Sequence, residues 1–170
     1  AFDYIKDELL YIQEVRELQN SGSNYKFSKI MEDNNTAILT SPLLRILADY
    51  GGMNESLQDL LSGSLSEDEV RTFLEDNQTQ ISKAVENYLD ESADKLVNRS
   101  EDLKLVVPDG IGNYINKGVP GMDNGTAGNI TKRDLKSNMK RVASRFLVAS
   151  IEQHKLFSGH PAQFVKAKQD

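Results

Sequence analysis

The clearest hydrophobic rhythm lies toward the C-terminus, where Leu135, Met139, Val142, Phe146 and Ala149 recur at spacings of four, three, four and three. That period lines one face of a helix. Thr131 with Asp134 three residues on is a variant of the capping box, with a side-chain oxygen for orphan amides and an acid near the positive helix end. A basic C-terminal helix is therefore expected in 131–158, starting at Lys132 and closed by Gly159 and Pro161, with a tail over 159–170. From Phe146 to Ile151 apolar residues fall on nearly every side, which predicts a buried second half.

Phe2, Ile5, Leu9, Ile12 and Val15, with acids early and Arg16 late, predict a first helix over 2–19. A turn is expected from Asn20 to Asn24, an ambiguous segment over 25–32 and a loop at Asp33, Asn34 and Asn35. Ser41-Pro42 is a helix start, because Ser caps the first amides and Pro at the first helical position loses nothing by lacking its own. Leu43, Leu44, Ile46 and Leu47 follow, and Gly51-Gly52 closes a short buried helix. Asn54 is expected to cap another through Leu57, Leu60 and Leu61, ending at Gly63.

Ser66 with Glu69 opens the longest polar helix pattern, running over 66–99 through Val70, Phe73, Leu74, Ile81, Ala84, Tyr88, Leu89 and Val97. At about thirty residues it would span roughly 45 Å. Asn77 on its apolar seam either fixes the register of a helix pair or is simply exposed. Leu103 to Val107 reads as a short strand or extended linker before Pro108. The stretch PDGIGNYINKGVPGMDNGTAGN has too many glycines and prolines for a helix and is expected to be a long crossing loop over 108–130.

These elements predict an all-α chain, an irregular helical bundle of about three long and two or three short helices with one long Gly-rich loop. Its length suits a single helical domain over 1–170. The hydrophobic fraction of 38% is low, so much of the chain must be solvated helix face or loop. Without cysteine the chain offers no disulfide framework, thiolate metal site or Cys nucleophile. It opens AFDYIKDELL, with no initiator Met, signal sequence or apolar run of membrane-span length, which leads to the expectation of an unsecreted piece of something larger. Six Asn-x-Ser/Thr sequons are accounted for by an Asn- and Ser-rich composition.

Charge divides the chain. Residues 131–170 hold nine Lys/Arg against three Asp/Glu, whereas the overall net charge is −6, so 1–130, and chiefly 1–107, is strongly acidic. Either the basic helix presents Lys132, Arg133, Lys136, Lys140, Arg141 and Arg145 to nucleic-acid phosphates, or it docks on the acidic part of its own fold. The second reading is preferred.

Candidate chemistry adds little. The Gly-rich loop beside Lys132 and Arg133 could cradle an anion, but Gly110-Ile111-Gly112 lacks the third glycine of a dinucleotide fingerprint and no Gly-Lys-Ser/Thr follows. Asp109 with Asp123-Asn124-Gly125 lacks the acid order and terminal Glu of an EF-hand, and reads as turns. His154 and His160 are six apart, not the four of a helical metal pair. No catalytic residues, metal or cofactor are expected, which leans against an enzyme unless residues outside this chain complete one.

Residues 152–164, EQHKLFSGHPAQF, resemble a motif of the giant multi-domain proteins of crAss-like phages and related Bacteroidetes mobile elements, in which a helix ending Lys-Leu-Phe enters a Gly-Asp-Pro-Ala turn and an aromatic residue. Asp3 to Leu9, DYIKDEL, is similar to helix openings in the same chains. His160 stands where those proteins have Asp, so no role of that acid carries over. The resemblance implies a fragment of a phage polypeptide, some of which accompany the genome in the virion or include a transcription enzyme. The implied partners are the rest of the parent polypeptide or another phage protein, with nucleic acid second and no membrane. The implied location is the infected bacterial cytoplasm or the virion.

Overall fold

The computed structural model describes residues 2–20, 34–63, 65–119 and 129–157. Among them are seven helices and a small three-stranded sheet. The mostly helical expectation holds, and the strands are the exception to it. The turn at 21–24, the segment 25–32, the Asp123-Asn124-Gly125 turn, His160 and the Gly159-Pro161 stop lie outside the described residues. The chain divides into two compact units, one of 1–85 with 148–170 and the other of 86–147.

In the first unit, α1 (Phe2–Asn20) buries Ile5, Leu9 and Ile12 completely, on the face the spacing predicts, and also Tyr11, which that spacing does not include. It packs against α5 (Glu67–Asp76) and α3 (Pro42–Gly51). Ser41 caps α3 as expected, its Oγ accepting from the Leu44 amide, and Gly52 ends it at φ 61°, where a Cβ would be strained. Two starts differ from expectation. Asn34 and Asn35 are not loop but begin α2 (Asn34–Thr40), which buries Ala37 and Ile38 and packs on α3. The helix α4 (Asn54–Ser62) has Met53, not Asn54, at its N-cap and makes no side-chain cap bond. Met53 is 1% exposed, so packing of that thioether fixes the entry where a polar cap was expected.

The expected helix over 66–99 is two helices. Ser66 Oγ accepts from the Glu69 amide to start α5, but Asn77 interrupts before α6 (Gln78–Asp102). The Asn77 backbone sits at φ −112°, ψ 16°, and its Nδ2 donates to the Phe73 carbonyl at 2.9 Å. An Asn side chain that competes for a backbone carbonyl breaks a helix rather than setting a pair's register.

The second unit holds the later part of α6, the three strands and the first part of α7 (Lys132–Phe157). The short strand expected before Pro108 is present as β1 (Val106–Pro108), and described parts of the stretch read as a crossing loop form β2 (Asn113–Asn116) and β3 (Asn129–Thr131); the three are antiparallel in that order, with Val107 opposite Ile115 and Tyr114 opposite Ile130. Asp109 Oδ1 accepts from the Ile111 and Asn113 amides, while Gly110 and Gly112 take positive φ. Glycines read as helix breakers therefore serve a hairpin turn. Val106, Tyr114 and Ile130 join Ala93, Val97, Val119, Leu135 and Met139 in one core.

Thr131 Oγ1 accepts from the Asp134 amide, so α7 begins as its sequence dictates. Its buried stripe is phased differently beyond the second turn. Leu135 and Met139 are buried and Val142 half-buried, but Ala143, Leu147 and Ile151 continue the line, whereas Ala149 is exposed and Phe146 is 60% exposed. The second half is thus not buried on every side. The expected line alternates spacings of four and three whereas the buried one keeps to four, and both are helical repeats, so periodicity alone could not separate them.

Candidate functional site

The six cations nominated on α7 fall in two environments. Lys132, Arg133, Arg141 and Arg145 are exposed, while Lys136 and Lys140 are half-buried. Lys136 Nζ lies 3.1 Å from Asp90 and 3.1 Å from Asp94; Lys140 Nζ lies 2.6 Å from Glu86 and 3.3 Å from Asp90. On a helix, residues four apart share a face. Glu86, Asp90 and Asp94 therefore form an acidic stripe on α6 that meets Lys136 and Lys140, and the rising numbers on one helix meeting falling numbers on the other make the two segments antiparallel. This matched spacing of four was the available sequence signal, and only the pairing of the helices reveals it.

The electrostatics follow the geometry. Hydrogen bonds from Lys136 and then Lys140 hold the Asp90 carboxyl below its usual range; those to Asp90 and Asp94 raise Lys136, and the bond to Glu86 raises Lys140. A carboxyl whose pKa falls on folding stabilises the fold fully above its unfolded value, about 3.9 for Asp, and loses that contribution as pH falls through the lower folded value. Asp90→Asn should therefore flatten the acid side of the stability profile below that value, with a small change at neutral pH because the ladder is wetted. Thermal melts of both proteins through the acid range check this.

A cavity of about 470 Å³ lies within the second unit. Leu96, Leu105, Val119, Met139, Val142 and Phe146 supply apolar wall, and Ser100, Asn138, Arg141 and Arg145 the polar atoms. Arg141 Nη2 donates to Asn138 Oδ1 at 2.5 Å, and Ser100 Oγ donates to the Leu96 carbonyl at 2.9 Å. Asn138 is 4% exposed, and its Nδ2 has no hydrogen-bond partner. A buried orphan donor costs about 1–3 kcal/mol. In the sequence Asn138 stands out by no signal, since a polar residue inside a basic stretch has the pattern of a solvated face.

In the first unit His154 Nε2 and Glu8 Oε1 are 3.0 Å apart, with both side chains buried. Neighbouring Lys155 is also buried, its Nζ 5.6 Å from the centre of the Tyr4 ring. His154 is thus a packing residue with a partner far away in sequence. Among the described residues no cluster of three or more His, Asp or Glu side chains could hold a metal ion, and no helix is long and apolar enough to cross a membrane.

No protein-family model, curated protein or solved structure matches the chain.

Proposed function

We propose that this chain is a non-catalytic structural and interaction domain of a larger phage or mobile-element polypeptide, meeting the rest of that polypeptide or another phage protein in the infected bacterial cytoplasm or the virion. The observation that carries the structural reading is the ladder of Glu86, Asp90 and Asp94 on Lys136 and Lys140. It engages the central cations of the basic helix within the fold, which weakens the case for a phosphate-binding stripe. The Glu8–His154 pair also favours a structural role, since both groups are buried away from any substrate. The phage origin rests on the resemblance of Asp3–Leu9 and 152–164.

The alternative is a nucleic-acid-handling module that uses Lys132, Arg133, Arg141 and Arg145, which remain exposed. Fluorescence anisotropy of labelled single- and double-stranded DNA and RNA, at low and physiological salt, separates the two. The expected result is no binding at either salt. Binding that falls with salt by a slope of about 0.7–0.9 per phosphate engaged, and disappears when those four cations become Ser, would overturn the structural reading.

A further inference from the structure

The second unit carries a site, lined in part by the basic helix, that the acidic ladder does not use. We propose that its cavity binds an apolar-bodied monocarboxylate, such as a medium-chain fatty acid. Its volume, about 470 Å³, falls in the range of roughly 300–1,000 Å³ typical of small-molecule pockets. Leu96, Leu105, Val142 and Phe146 offer a surface for a hydrocarbon body, and the large exposed area of Phe146 is apolar surface that such a body would cover.

The polar side of the cavity has one sign. Asn138, Arg141 and Arg145 stand three and four residues apart on α7, hence along one face, and no carboxylate lines the cavity. The Arg141 guanidinium meets the neutral Asn138 oxygen, leaving its other N–H groups for a ligand, and a guanidinium fork matches a carboxylate in two parallel bonds. The orphaned Asn138 Nδ2 is the independent sign of a missing acceptor. A carboxylate between the two arginines takes over the Arg141 bond, which lets the Asn138 amide turn and donate its nitrogen to the same anion. An alcohol of equal length would satisfy the walls but not the cations; a bare inorganic anion would do the reverse.

The test is a titration of the full chain with decanoate, decanol and inorganic phosphate, followed by amide chemical shifts and calorimetry. Decanoate is expected to shift the resonances of the lining residues and to bind at least about tenfold more tightly than decanol or phosphate, the scale of one charge-assisted hydrogen bond. Asn138→Leu and the exposed pair Arg141→Gln/Arg145→Gln should each weaken decanoate about tenfold and leave decanol unchanged. Because the arginines are on the surface, the second variant reads out the site even where Asn138→Leu disturbs folding. Decanoate binding no better than decanol, binding unaffected by the arginine changes, or no shift at the lining residues overturns the proposal.

Discussion

Leu47→Ala is expected to lower the unfolding free energy by about 2–5 kcal/mol, the scale of a leucine-sized cavity in a core that cannot fully collapse. Leu47 has no exposed surface, and its helix α3 packs against α1, α2 and α4, so the methyl groups removed have neighbours on several sides. For a domain stable by about 5–15 kcal/mol, that loss is a large fraction of the whole. Urea denaturation should show a lower midpoint with an unchanged slope. The same truncation at Leu39, which is 49% exposed, should stay within about 0.5 kcal/mol. Equal losses at the two positions would refute the assignment of the core.

The second large effect is expected at the buried pair. His154→Leu leaves the Glu8 carboxyl buried without the imidazole beside it, and should cost about 1–3 kcal/mol or more if the carboxyl stays charged. Glu8→Leu/His154→Leu removes both members of the contact and should cost less than the two single losses added together, because neither group is then left buried opposite an apolar side chain. A double-mutant cycle of denaturation midpoints measures the coupling. Strict additivity would mean that the 3.0 Å contact contributes nothing to the fold.

The start of α7 at Lys132 was legible because Thr131 and Asp134 make a local contact whose energy is set within one turn. The same holds for Ser41 and Pro42 ahead of α3, and for Ser66 ahead of α5. Asn77 was visible, but as a register pin or an exposed residue, and neither reading foresaw the helix break that accompanies its side-chain bond to the Phe73 carbonyl. The strands at the two ends of the Gly-rich stretch were hidden for a related reason. Tyr114 and Ile130 pair only because β2 bridges β1 and β3, the last lying far along the chain.

The candidate sites divide in the same way. The sequence supplied the cations of α7 and the acids of α6, and its preferred reading, the basic helix docking on its own acidic neighbours, names the kind of contact that Lys136 and Lys140 make. It could not supply the partner residues, nor place Asn138, Arg141 and Arg145 around one cavity with Leu96 and Leu105 from elsewhere in the chain. Nor could it pair His154 with Glu8, which are 146 residues apart.

What the sequence by itself determined is the helical class, the capped helix starts and the separation of acidic and basic segments, because capping, propensity and periodicity act over one or two turns. The sheet, the break at Asn77, the phase of the buried stripe on α7, the acidic ladder and the cavity were decided by tertiary structure alone. Each depends on which distant surface arrives opposite a residue, and a local pattern that fits two faces or two partners equally is settled only by the burial and pairing that packing brings.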